Sequence, residues 1–289
     1  MHALLIFVLL LASVLIAGAA LAWPVHTLLS LWFEPEFENV TSRTVLGLGI
    51  LVFLAVFRMS GFRAWHEIGF EADCRRFWAN AAKGFGAGIL VMLPVVAGLL
   101  LVRNRVVDPE WDWSPGSLAL LLASALIAGC IVSLIEESVF RGLLLSTIRR
   151  KGSVLLAIIS TSFFYALVHF LRPGLEPDPD TLDWTSGFTL LREGLSALSS
   201  PIQYLDSFIA LLAAGILLAV IRIRSGGLAL CIGMHAGWVF TIKLFKRTTN
   251  SNDASAFAYL TGTYDHVIGY LATVCLAVTI LIYLKMRPG

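Results

Sequence analysis

Eight long apolar runs are the feature that most constrains this chain. They cover residues 3–22, 44–58, 84–102, 117–137, 154–171, 202–221, 227–244 and 266–284. A membrane-spanning helix needs about 20 predominantly apolar residues. The chain is 58% hydrophobic and only 14% charged, whereas soluble domains average about 25% charged residues. The sequence therefore predicts an all-α, polytopic membrane bundle of about eight transmembrane helices, built as a single integral-membrane domain over residues 1–289.

Charged residues predict the orientation of this bundle. Lysine and arginine collect on alternate connections and at the C-terminus: Arg58, Arg63, Arg75, Arg76, Lys83, Arg149, Arg150, Lys151, Arg222, Arg224, Lys285 and Arg287. Acidic residues collect on the other connections: Glu34, Glu36, Glu38, Asp108, Glu110, Asp112, Glu176, Asp178, Asp180 and Asp183. Because cytoplasmic loops carry the excess of Lys and Arg, we expect a multi-pass protein of the plasma (inner) membrane with both termini in the cytoplasm. The first run has no basic segment before it, so we interpret it as an uncleaved span and not as a signal peptide.

One charged stretch, Ser133–Gly142, interrupts the fourth apolar run. A charge at the centre of a membrane helix costs about 2.5–3.5 kcal/mol on insertion scales, so such residues commonly mark functional sites. Glu137 and Arg141 are four positions apart in the acid-first order that favours an ion pair on a helix. Glu136 points about 100° away from Glu137. The spacing therefore predicts that Glu137 is structural and that Glu136 is available for chemistry.

Two histidines accompany this acid pair inside apolar runs. His169 closes the fifth run and His235 lies within the seventh. Glu136 precedes the turn at 151–153 by about 15 residues and His169 follows it by about 17, so at a rise of about 1.5 Å per residue both lie at similar depth. We therefore expect Glu136 and His169 to face each other, with Tyr165 one turn before His169 on the same helix face.

Three short motifs follow one another along the chain: Glu136-Glu137-x-x-x-Arg141, Tyr165-x-x-x-His169 and His235-Ala236-x-Trp238. All three lie within a motif-bearing core of residues 117–245. In order and spacing they resemble the CPBP family, the CAAX proteases and bacteriocin-processing enzymes. This family comprises glutamate-dependent intramembrane proteases and includes the type II CAAX prenyl endopeptidase.

The resemblance implies a role for each of these residues. Glu136 would be the general base that activates a water molecule for attack on a peptide carbonyl. His169 would help to hold that water, and His235 would donate to the developing oxyanion. Glu137 and Arg141 would brace the helix. The implied substrate is a membrane-associated peptide or protein, in some cases lipidated, that is cleaved beside the lipid bilayer.

The chain departs from the family pattern at two positions. Tyr165 stands where the family usually has Phe, and Val239 stands where it usually has Asn or Asp, four residues after the second histidine. Valine cannot donate a hydrogen bond, and the loss of one oxyanion donor costs on the order of 10²–10³ in rate. The Trp238 indole, Thr241 or a backbone amide would have to take its place.

Three alternatives stay open at this point. Val239 would suit a non-catalytic scaffold with the family's fold, and buried carboxylates also serve proton-coupled transporters. The set of Glu136, His169 and His235 also has the residue types of a zinc site, although the sequence has no HExxH motif; we expect no cofactor. A net charge of +2 without a basic tract gives no reason to expect a nucleic-acid partner.

Overall fold

The computed structural model of the chain describes residues 2–171, 181–196 and 201–286. Within these residues the chain is predominantly helical, as predicted. Its α-helices are α1 His2–Leu29, α2 Phe37–Met59, α3 Cys74–Leu101, α4 Pro115–Glu137, α5 Leu145–Lys151, α6 Val154–Val168, α7 Ser186–Ser196, α8 Leu205–Ser225, α9 Ala229–Thr248 and α10 Tyr270–Lys285. One small antiparallel sheet pairs β1, Arg105–Val107, with β2, Thr249–Ser251.

The predicted count of eight spans is not confirmed. In the described part of the chain, five helices are long and apolar enough to cross a membrane: Leu4–Leu29, Phe37–Met59, Cys74–Leu101, Pro115–Arg150 and Ile202–Ser225. The fifth, seventh and eighth predicted runs also form helices, but α6 and α10 are short and α9 is not among the five. Helix α6 has 15 residues because the chain turns at His169. Helix α10 begins only at Tyr270, since His266 adopts a left-handed backbone conformation with φ of 59°.

The described chain divides into two compact units. The first comprises Met1–Arg63 and Leu167–Ile202, and the second comprises Ala64–Ala166 and Gln203–Gly289. In the first unit, α1 packs against α2 and α7. The prediction of a single domain over the whole chain stays a prediction.

The second unit contains one exceptionally long helix that carries the acid pair. Helix α4 begins at Pro115, with Ser114 as its N-cap accepting from the Ser117 amide. After Glu137 the chain continues as a π-helical segment, Ser138–Leu144, and then as α5. The apolar helix Pro115–Arg150 thus has 36 residues, more than the approximately 20 that a span needs. π-helical turns within α-helices are frequent at functional sites, and this one directly follows the acid pair.

Helix α9 packs between α3 and α4 through close backbone contacts. A Cβ atom added at Gly88 of α3 would lie 2.2 Å from the carbonyl oxygen of Met234, and one added at Gly129 of α4 would lie 2.7 Å from that of Ala236. Small residues let membrane helices approach this closely. The two contacts fix the height and rotation of α9 around His235, which lies between Met234 and Ala236.

These contacts predict that Gly88→Ala destabilises the second unit. The added methyl group would meet backbone of α9, and overpacking of this kind typically costs about 1–3 kcal/mol. Gly86→Ala is the matched control, because a Cβ added at Gly86 on the same helix has no atom within 4 Å. Thermal unfolding of both variants in detergent measures the difference. Equal midpoints for Gly88→Ala and Gly86→Ala would contradict the close packing.

Candidate active site

A buried ion pair forms the base of the site. Arg141 Nη1 lies 3.1 Å from Glu137 Oε1, and both side chains are fully buried, so the predicted ion pair is confirmed. Arg141 Nη2 also donates to the carbonyl oxygen of Gly215 on α8, at 3.2 Å. The Arg141 Cζ atom lies 4.3 Å from the centroid of the Tyr165 ring, within the range of a cation–π interaction. Arg141 thereby links α4, α6 and α8 around one charge.

Glu137 has a second partner that the sequence analysis did not assign. His235 Nδ1 lies 2.9 Å from the same carboxylate atom, Glu137 Oε1. An ionised carboxylate only accepts hydrogen bonds, so Nδ1 of His235 carries the hydrogen and donates it. The two residues are 98 positions apart, and nothing in their local spacing indicates the pairing. The sequence could have indicated a second partner only through chemistry, because a buried carboxylate has more acceptor sites than Arg141 uses.

Glu136 lies on the other side of the same imidazole. Its Oε2 atom is 3.9 Å from His235 Nε2, too long for a direct hydrogen bond. The Glu136 side chain is 27% exposed, whereas the neighbouring Glu137 side chain is fully buried. The expected separation of the two acids by helical rotation is therefore present. His235 thus lies between a fully buried glutamate side chain and a partly exposed one.

Two aromatic residues complete the surroundings of His235. The Tyr165 ring centroid lies 6.0 Å from that of the imidazole, and the Trp238 ring centroid lies 6.2 Å from it. Both aromatic side chains are buried. The Trp238 indole nitrogen is also buried, and it has no hydrogen-bond partner within residues 2–171, 181–196 and 201–286. The partly buried Val239 follows it and offers no donor.

His169 is the one proposed catalytic residue that belongs to the first compact unit. It follows Val168, the last residue of α6, and is half-buried in a turn. The prediction that His169 faces Glu136 stays a prediction. Among the residues that the structure describes, no group of three His, Cys, Asp or Glu side chains is arranged to hold a metal ion, and we derive no step through one.

The arrangement in the second unit is suited to proton transfer. A buried carboxylate that accepts from one imidazole nitrogen fixes the tautomer and the orientation of the ring, and it stabilises the imidazolium when that forms. Here Glu137 performs this function and Arg141 holds Glu137. With hydrogen on Nδ1, neutral His235 presents a lone pair at Nε2 towards the Glu136 side. His235 can therefore donate to an oxyanion through Nε2 only as an imidazolium. This requirement follows from the contact with Glu137, which the sequence did not predict.

Comparison with known proteins agrees with this location. Residues 118–241 match the family model described as type II CAAX prenyl endopeptidase Rce1-like. The match covers the part of the chain that carries all three motifs, and the resemblance to the CPBP family is thereby confirmed. No curated protein and no solved structure matches the chain.

The buried ion pair predicts a large stability loss for Glu137→Gln. This change would leave Arg141 charged and buried without its counter-ion, which typically costs about 3–5 kcal/mol. Glu67→Gln is the matched control, because Glu67 pairs with Arg150 at 3.0 Å while both side chains are partly exposed. An exposed pair contributes about 0–1 kcal/mol. Thermal unfolding in detergent measures both effects, and a Glu137→Gln midpoint as high as that of Glu67→Gln would contradict the assigned role.

Proposed function

Because residues 118–241 match the Rce1-like family model, we propose that this chain is an intramembrane endopeptidase. Its substrate would be a membrane-associated peptide or protein, including lipidated ones, and the reaction would be hydrolysis of one peptide bond. The observation that carries the proposal is the position of Glu136 beside His235, whose other nitrogen is held by the buried Glu137. A partly exposed glutamate, an imidazole and a supporting carboxylate are groups suited to general acid–base hydrolysis.

In the proposed reaction Glu136 takes a proton from a water molecule. The water oxygen attacks the carbonyl carbon, and the electron pair of the C=O bond moves onto the carbonyl oxygen. When this oxyanion collapses, the C–N bond breaks and protonated Glu136 returns its proton to the leaving amine. His235, oriented by Glu137, donates to the oxyanion from Nε2 as an imidazolium. His169 is proposed to hold the attacking water.

The membrane setting of the proposal has two parts. The five long apolar helices support an integral membrane protein. We further propose that it lies in the plasma (inner) membrane with both termini in the cytoplasm. The distribution of Lys and Arg among the connections supports the orientation. Such a protein would meet its substrate at the bilayer, where lipidated peptides also partition.

The proposal predicts that Glu136→Gln lowers kcat by about 10²–10⁴ while the protein stays folded. Loss of general base catalysis typically costs about 10²–10⁴ in rate, and the partly exposed Glu136 contributes little to packing. Purified wild type and variant would be assayed in proteoliposomes against a pool of fluorogenic membrane peptides, with thermal unfolding measured in parallel. Glu67→Gln serves as the control for the loss of a carboxylate elsewhere. A Glu136→Gln variant that cleaves at the wild-type rate would contradict the assignment.

The same assay tests the histidines and the absence of a metal requirement. His235→Ala and His169→Ala are each expected to lower kcat by at least about tenfold, because each removes a group that positions or stabilises the reacting atoms. A chelator is expected to leave the wild-type rate unchanged. Reversible loss of cleavage on chelation, restored by zinc, would replace this mechanism with a metal-dependent one.

A further inference from the structure

The indole nitrogen of Trp238 lies beside the site and has no role in the reaction described above. Trp238 is 5% exposed, and its Nε1 atom is buried without a hydrogen-bond partner in the described part of the chain. Buried polar groups are nearly always hydrogen-bonded, and an exception in a native structure calls for an explanation such as a catalytic role. An indole nitrogen is a donor only. A group that binds it must therefore bring an acceptor atom.

The position of Trp238 on α9 points to what that acceptor is. Residues three and four positions apart are neighbours on a helix surface, so both Trp238 and Val239 lie one turn beyond His235. Val239 offers no hydrogen bond. The Trp238 ring centroid is 6.2 Å from that of the imidazole, and Glu136 Oε2 is 3.9 Å from His235 Nε2. On α9, the indole of Trp238 is the side-chain hydrogen-bond donor closest in sequence to His235.

We propose that the Trp238 Nε1–H group donates a hydrogen bond to the oxyanion formed during peptide hydrolysis. This inference rests on the proposed function of the same site. As the Glu136-activated water adds to the carbonyl carbon, the electron pair of the C=O bond moves onto oxygen and that oxygen accepts from Nε1–H. The indole keeps its proton throughout, and the hydrogen bond weakens again when the C–N bond breaks.

A donor that has no partner among the described residues suits this role. Within the part of the chain that the structure describes, no hydrogen bond has to break before Trp238 Nε1 binds the oxyanion. A preorganised donor in a site of low dielectric acts most strongly where charge develops. A neutral indole also complements His235, which donates from Nε2 only as an imidazolium.

The test is Trp238→Phe, which keeps an aromatic ring but removes the donor. We expect kcat to fall by about 10²–10³, the usual effect of losing one oxyanion donor, while KM changes by less than about twofold. Trp111→Phe is the matched control, because the Trp111 Nε1 atom is likewise buried without a partner in the described residues. Trp111 lies away from the site, beside Arg247 at the C-terminal end of α9. An unchanged kcat for Trp238→Phe, beside an active wild type, overturns this inference and leaves the proposed function intact.

A rescue variant separates hydrogen bonding from packing. Trp238→Phe combined with Val239→Asn brings an amide donor to the adjacent position, and we expect it to recover at least about tenfold of the lost kcat. The folded fraction of every variant is measured by thermal unfolding. A double variant as slow as Trp238→Phe, with both proteins folded, would assign the loss to packing and overturn the inference.

Binding of an anion can be followed without turnover. A phosphinic peptide with apolar side chains on both sides of phosphorus imitates the tetrahedral oxyanion. In protein labelled with ¹⁵N at tryptophan, we expect it to move the indole N–H signal that Trp238→Phe removes, in wild type and in Glu136→Gln alike. An unmoved signal overturns the inference. A moved signal in a protein that cleaves no peptide supports the donor and overturns the proposed function alone.

Discussion

The pairing of Glu137 with both Arg141 and His235 is the interaction on which the site depends. The ion pair is fully buried, and a buried charge is tolerated only when it is paired and hydrogen-bonded. Arg141 meets this requirement through Glu137, the Gly215 carbonyl oxygen and the face of Tyr165. The same carboxylate atom then orients His235. Stability of the helix and orientation of the imidazole therefore share one group, and a change at Glu137 affects both.

Close helix packing gives this interaction its fixed geometry. The backbones of α3 and α4 approach α9 at Gly88 and Gly129. These glycines face Met234 and Ala236, the residues on either side of His235 in sequence. In lipid, contact of this kind stabilises helix association, because apolar burial offers little advantage there. The π-helical segment Ser138–Leu144 follows the acid pair directly and holds Arg141. The proposed catalytic groups of the second unit thus lie on packed helices and not on loops.

The sequence predicted the features that depend on local spacing. Helix content was predicted from the long apolar runs. The ion pair of Glu137 with Arg141 and the different surroundings of Glu136 follow from rotation of 100° per residue along one helix. The contact between Glu137 and His235 could not be predicted in this way, because it depends on tertiary packing of α9 against α4. The count of eight spans is not confirmed, because some apolar runs are interrupted by local conformation, as at His266, or carry charge near a helix end, as in α9. The resemblance to the CPBP family rested on three motifs, and residues 118–241 match the Rce1-like family model.

The central claim is that Glu136 and His235 act on the same reacting atoms. A double-mutant cycle on kcat tests this most directly, with Glu136→Gln, His235→Ala and the double variant measured against one peptide. Groups that work as a unit give strongly non-additive losses. The account predicts a double variant about as slow as the slower single variant. Losses in kcat that multiply, as for independent sites, would contradict it.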